Sequence, residues 1–238
     1  MLKLVYKPVG LTPYELVKNV RKRYPKYKKI AFAGRLDPMA HGYMLLLIDE
    51  HCKLMDNYLN LEKSYEYQII FGITTNTYDI MGNILCETEK IYNLEYILEK
   101  KNYLVGEYFQ KYPQYSSKTV LYNNKMIPMW KIKDLNQIKI PKKRIKVKYI
   151  KYIDHYYLNK RKLVSLVSSR LNQVKSSNFN IKSFKSQWEN IKENDYLIVK
   201  FKSHVTSGTY IREISNQLGI LTNYGATILE IYRNKIYY

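Results

Sequence analysis

Apolar and polar positions alternate over Leu2-Lys3-Leu4-Val5-Tyr6, which predicts a short strand closed by Lys7-Pro8-Val9-Gly10. The pattern then changes period. Thr12 precedes Pro13, with Glu15 three positions after the threonine, so a capping box should open a helix running to about Arg23. Leu16, Val17 and Val20 form its apolar stripe, and Lys18, Arg21, Lys22 and Arg23 its polar face. The basic stretch Lys26 to Lys29 leads into Ile30-Ala31-Phe32, and a second apolar run spans Tyr43 to Ile48. Residues 65–71 read as a strand that begins half-exposed and ends buried, stopped by Gly72 before a polar loop at 74–79. Helical spacing is expected over 93–110 and 163–174, and strands over 145–150 and 195–201. Residues 207–213 should open a helix that Gly219 ends, and residues 226–237 close the chain as a strand. The polar segment 176–186 is the weakest-folding stretch. No internal repeat and no Gly/Ser/Pro linker interrupts the order, which favours one domain carrying an insertion.

Charge narrows the class of partner. The 238 residues carry 40 Lys and Arg against 20 Asp and Glu, a net charge of +20. Such an excess predicts a polyanionic partner, nucleic acid ahead of a membrane surface. The excess is concentrated: residues 118–151 hold eleven basic side chains and one acid, Asp134, and read as a cationic arm on the body. The 26 tyrosines supply stacking surfaces of the kind that take unstacked RNA bases. Two cysteines build no disulfide framework, and four scattered histidines have no metal-ligand spacing. The first residues are too short and too quickly charged for a signal peptide, and no run of about 18 apolar residues exists to span a membrane. The expectation is a soluble, intracellular, cytoplasmic protein.

The sharpest chemical candidate is Asp37, in Gly34-Arg35-Leu36-Asp37-Pro38-Met39-Ala40-His41-Gly42. Taken alone this carboxylate has two readings: an ordinary Asx turn before proline, or a side chain held at the end of a buried element.

Five separated segments decide between them. Lys7-Pro8-Val9-Gly10-Leu11-Thr12, Gly34 to Gly42, and Lys63-Ser64-Tyr65 with Phe71 to Gly82 come first in the chain. Gly208-Thr209-Tyr210-Ile211-Arg212 and Leu229-Glu230-Ile231-Tyr232-Arg233 follow. In this order they resemble the motifs of the stand-alone tRNA pseudouridine synthases of the TruB type. The resemblance implies an α+β pseudouridine synthase fold: a mixed, mainly antiparallel sheet with flanking helices, a cleft across its middle and a basic RNA-binding insertion at about 111–151. It also implies an enzyme without cofactor or metal that isomerises the T-loop uridine at position fifty-five of tRNA after flipping it out of the stack. Asp37 would then be the nucleophile, Arg212 its bidentate guanidinium partner, and Tyr65 the stacking platform and proton acceptor. Ile231 would wall the uracil pocket, and Tyr210 belongs to the same substrate-binding set. Lys7 and Lys53 match basic motif positions, structural or phosphate-contacting, and Asp79 would order its loop among the substrate-binding residues. Phe32 stands where the family pattern has a histidine that meets the RNA loop. Lys142, Lys143 and Arg144 would meet the RNA backbone, with Tyr122, Met129 and Trp130 adding apolar contacts. The segment at about 155–190 is longer than in compact relatives. The whole chain would be a single catalytic domain, monomeric, with no accessory PUA domain after Tyr238. Two other readings remain open: the same chemistry on another RNA with a T-loop-like fold, and a catalytically idle tRNA chaperone.

Overall fold

The alternating start forms β1 (Leu2–Lys7), and the capping box forms as its residues demand. The Thr12 hydroxyl accepts from the Glu15 amide while the Glu15 carboxylate takes the Thr12 amide, opening α1 (Pro13–Arg23). The computed structural model describes residues 1–89, 91–132, 134 and 138–238. After α1 come β2 (Ile30–Ala33), β3 (Ala40–Ile48), the short α2 (Met55–Leu59) and β4 (Glu62–Phe71). A ribbon of β5 (Ile73–Thr75) and β6 (Ile84–Glu87) precedes α3 (Leu94–Lys100) and β7 (Gly106–Lys111). A hairpin of β8 (Thr119–Tyr122) and β9 (Lys125–Pro128) leads to the 18-residue β10 (Lys142–Asn159). The chain ends with α4 (Lys160–Leu171), α5 (Ile181–Glu189), β11 (Asp195–Val205), α6 (Ile211–Thr222) and β12 (Ala226–Tyr237).

One eight-stranded sheet organises these elements in the order β1-β3-β12-β4-β11-β10-β7, with β2 also paired to β3. Every pairing is antiparallel except that of β12 with β3, so the sheet is mixed and mainly antiparallel, in an α+β fold. The parallel pair sits opposite Gly42, whose φ is +117° and where a Cβ would lie 2.2 Å from the Arg233 carbonyl oxygen. Only glycine lets β12 come this close to β3. One face of the sheet buries Tyr65, Tyr67, Val199 and Phe201 against Ile211, Ile214 and Leu218 of α6 and Leu16 of α1. The other buries Ile70, Ile198 and Leu229 beneath Leu163, Val167 and Leu171 of α4 and Trp188 of α5.

Four expectations require correction. The helix foreseen over 93–110 ends at Lys100 and passes through a 3₁₀ turn at Lys101–Leu104. Gly106, at φ +116°, then turns the chain into β7, where Tyr108 and Gln110 lie further in than their neighbours. The polar stretch 176–186 is not weakly structured at its end. Asn180 caps α5 through the Ser183 amide, and α5 carries Trp188 into the core, where its indole N–H donates to the Ile80 carbonyl at 3.2 Å. Gly219 does not end its helix: α6 continues to Thr222 and closes on left-handed Asn223, while Gly219 leaves room for Ala226. The basic segment is an arm only in part. Its hairpin forms a separate two-stranded sheet, but Lys142 onward is β10, held between β7 and β11 in the main sheet. Residues 133 and 135–137 of that segment lie outside the described residues.

Trp188 fixes α4 and α5 to the sheet, so Trp188→Ala should cost about 3–5 kcal/mol of stability, read from the urea unfolding midpoint. A loss under about 1 kcal/mol would mean that these helices are dispensable to the core.

Candidate active site

The loop between β2 and β3 is pinned from three directions, and those pins place Asp37. The Gly10 amide donates to the Pro38 carbonyl at 2.8 Å. The Lys7 ammonium, fully buried, donates to the carbonyls of Pro8, Leu11 and Pro38 at 3.0, 2.7 and 3.3 Å. From the other side Arg233, also fully buried, donates to the carbonyls of Tyr43, Arg35 and Gly34 at 2.7, 3.2 and 3.2 Å. Within the loop the Ala40 amide closes a turn on the Asp37 carbonyl at 3.0 Å. The turn closes on the Asp37 backbone carbonyl rather than on its side chain, so the carboxylate is left to be presented at the head of β3.

Arg212, in the first turn of α6, meets that carboxylate. Its Nε donates to Asp37 Oδ2 at 2.8 Å, Nη1 to the Thr77 carbonyl at 2.7 Å and Nη2 to the Tyr115 carbonyl at 3.2 Å. The bidentate pairing expected from the sequence does not form, because the outer nitrogens are committed to backbone. Asp37 is bonded by Arg212 through one oxygen only. The side chain of Arg212 is 4% exposed and that of Asp37 is 37% exposed, so the cation is sealed behind an accessible carboxylate. Asp79 approaches the same nitrogen, its Oδ2 3.7 Å from Nε. Its Oδ1 accepts from the Thr77 hydroxyl at 2.7 Å and the Met81 amide at 2.9 Å. Burial pushes the Asp79 carboxyl up from its ordinary range; Arg212 opposes that rise and the charge of Asp37 adds to it. Asp79 is thus buried, bonded within its own loop and placed against Arg212.

Tyr65 and Ile231 come from adjacent strands. Ile231 stands opposite Tyr67 on β4 and opposite Ala40 on β3, and Tyr65 sits diagonally across from it on the same face. Leu36, Ala40, Tyr65 and Ile231 belong to one apolar cluster beside Asp37. Tyr210 is held at the start of α6: its amide donates to Gln110 Oε1 at 2.8 Å, and Gln110 Nε2 returns to its carbonyl at 3.1 Å. Burial, with the charge of Asp37 adding, pushes the Tyr210 hydroxyl up to about 12, which keeps it protonated as a donor.

Other expected site residues fall elsewhere. Lys7 supports the Asp37 loop through carbonyls and offers no ammonium to a phosphate. Lys53 lies at the opposite end of β3, exposed and ion-paired with Glu50 at 2.5 Å. Phe32 lines a groove of about 600 Å³ between α1 and β2, with Tyr14, Val17, Lys18 and Arg21. Lys142, Lys143 and Arg144 open β10 opposite Lys111, Gln110 and Phe109. Among them Arg144 is already paired with Glu107 at 2.6 Å. Of the apolar contacts foreseen on the insertion, Trp130 is 53% exposed and Met129 is buried. Three supports were given no role in the sequence reading: Arg233, Gln110 and the Tyr115 carbonyl. Arg233 left a usable signal, an arginine at an inward position of a buried strand; the carbonyl left none.

Residues 21–169 match the N-terminal domain of TruB family pseudouridylate synthases. The tRNA pseudouridine synthase B of Thermotoga maritima is 29% identical over 234 residues, covering 98% of this chain and 62% of that protein. The enzyme of the same name from Ureaplasma parvum is 28% identical over 233 residues, 98% of this chain and 85% of its own length. The chain therefore spans under two thirds of the Thermotoga relative's length. A chain in the crystal structure of a Cbf5–Nop10–Gar1 complex superposes with a TM-score of 0.61 at 18% identity, covering 99% of this chain and 48% of the other. Likeness at that identity speaks for the fold.

Proposed function

This chain belongs to the TruB family of pseudouridylate synthases, and from that membership and the site geometry we propose that it converts uridine to pseudouridine in tRNA, at the T-loop. The observation that carries the reading is an accessible Asp37 carboxylate bonded to a sealed Arg212 beside Tyr65 and Ile231. The reaction breaks the C1′–N1 bond, rotates the uracil and forms C1′–C5; N1 gains a proton and C5 loses one, so atoms balance without a co-reactant. Asp37 supplies the nucleophile, attacking sugar or base or drawing the sugar through a glycal. Arg212 holds the carboxylate in place through its Nε–H and supplies a fixed positive charge beside it. Tyr65 stacks on the flipped base and takes the C5 proton, while Ile231 excludes water from one side. Gln110 anchors Tyr210 as a hydroxyl donor at the same cleft. The segment at 111–151 reaches back to the site through the Tyr115 carbonyl, which supports its assignment as part of one catalytic unit that clasps RNA. The unstacking cost of flipping, a few kcal/mol, is offset by these contacts and by phosphate neutralisation over the basic surface.

The test is tritium release from C5-labelled uridine in a T-arm minihelix. Release is expected from the intact T-loop and not when the target uridine is replaced by cytidine. Release from total cellular RNA but not from any tRNA would move the activity to another RNA with a T-loop-like fold. Binding without release from either would leave the chaperone reading.

A further inference from the structure

Five cations on the sheet are matched with acids: Arg144 and Lys146 share Glu107, Lys148 pairs with Glu62, and Lys200 and Lys202 share Glu66. A group beside the Asp37 loop is set apart by its burial. Lys63 is 4% exposed, yet among the described residues its ammonium has a single hydrogen-bond partner, the Leu61 carbonyl at 2.6 Å. Its neighbours are other cations. Lys63 packs under Gly34, where a Cβ would lie 3.2 Å from its Cε and 3.5 Å from Nη1 of Arg233. Lys143 reaches the same end of the sheet and lies over Gly208, where a Cβ would meet its Nζ at 2.3 Å. The loop of Gly208 is tied to this end by the bond from the Ser207 hydroxyl to the Leu59 carbonyl. Among the described residues no carboxylate comes within ion-pair reach of Lys63, Lys143 or Arg233. Burial, with the charges of Arg233 and Lys143 adding, pushes the Lys63 ammonium down to about 8. A buried ammonium that faces other cations and no acid is costly in the free protein, and an anion relieves that cost.

The position says which anion. Lys63 and Tyr65 are two residues apart on β4 and so share a face, about 7 Å apart along the strand. Gly208 precedes Tyr210 and Arg212 at the start of α6. An anion at Lys63 therefore lies within one nucleotide of a base stacked on Tyr65. We propose that Lys63 and Lys143, converging at Gly34 and Gly208 with Arg233 behind them, form a site for one backbone phosphate of the RNA, adjacent to the nucleotide presented to Asp37. This rests on the RNA-modifying reading of the same cleft. Lys63 is the inner wall, fixed by burial. Lys143, half-buried and carried by the basic segment, is the outer wall that closes on the phosphate.

The experiment measures T-arm minihelix affinity against salt for wild type, Lys143→Gln, Lys63→Gln and the double variant, with Lys200→Gln as a paired-cation control. The double variant should bind roughly ten- to a hundredfold more weakly, with the slope of log K on log salt smaller by about 0.7, one phosphate's worth. Lys200→Gln should keep the wild-type slope. A single methylphosphonate placed next to the target uridine should weaken wild type and leave the double variant's affinity unchanged. If Lys63→Gln fails to fold, Lys143→Gln carries the test, since it lies at an accessible strand end. A wild-type slope and wild-type methylphosphonate sensitivity in Lys143→Gln would overturn the proposal. Conversion of the uridine by wild type is followed in the same RNA. Its absence overturns the T-loop reading, and its presence with unaltered slopes overturns the phosphate site alone.

Discussion

Asp37→Asn is expected to lower C5 tritium release on the order of 10⁴-fold or more while T-arm binding changes little. The substitution is nearly isosteric, and an amide oxygen still accepts from Arg212 Nε at the 2.8 Å position, so the loop should keep its place. The loop's own supports, Lys7, Gly10 and Arg233, do not involve the carboxylate at all. What vanishes is the negative charge and with it the nucleophile, an interaction needed only along the reaction path. The loss should therefore fall on the single-turnover rate at saturating RNA. Arg212 would be left with Asp79 alone as its ionic partner, so a modest fall in stability should accompany the change. Release within tenfold of wild type would remove Asp37 from the chemistry and leave it as the turn residue that its Leu-Asp-Pro context equally permits.

The elements that were legible in the sequence are those whose signals are local. α1 announced itself through Thr12, Pro13 and Glu15 because a capping box satisfies orphan amides within one turn. β1 followed from alternation. α5 was illegible because its reason is remote: a polar stretch becomes helix when Trp188 is buried under α4 and bonds Ile80, 108 positions away. The outer half of β10 was missed for a different reason. Register shifts near Val147 and Tyr152 break the alternation, and past Val147 the strand pairs with β11 but no longer with β7. At Gly106 and Gly219 glycine carried opposite meanings, a turn in one and close packing inside a helix in the other, and only the neighbours tell them apart.

In the candidate site the motif residues converge, but their tasks divide by burial, which motifs do not encode. Lys7 and Lys53 matched equally well as basic positions, yet one is enclosed by carbonyls and the other stands in solvent past the far end of β3 from Asp37. Asp37 and Asp79 are both near Arg212. Their side chains differ in exposure, 37% for the first and 10% for the second. The unmatched charge of Lys63 is a statement about absent neighbours, which no linear motif can make.

Arg212 is the residue on which these roles meet, and its replacement should damage both stability and rate. Its guanidinium donates in three directions at once, to Asp37, Thr77 and Tyr115, with Asp79 near the same Nε. A lysine at this position could reach one of these acceptors, so Arg212→Lys should lower the rate about 10²-fold or more through a misplaced Asp37. Arg212→Met goes further, leaving two carboxylates facing each other without a cation and two buried carbonyls without donors. Removing one partner of such a buried pair costs about 3–5 kcal/mol, visible as a lower unfolding midpoint in urea. The second substitution separates the two effects. Adding Asp79→Asn to Arg212→Met removes the buried, unpaired charge, so the double variant should regain a large part of the lost stability. It should regain no activity, because Asp37 still lacks its partner. Recovery of rate together with stability would show that Arg212 serves the fold alone. A double variant no more stable than Arg212→Met would show that Asp79 and Arg212 are not energetically coupled despite their 3.7 Å separation.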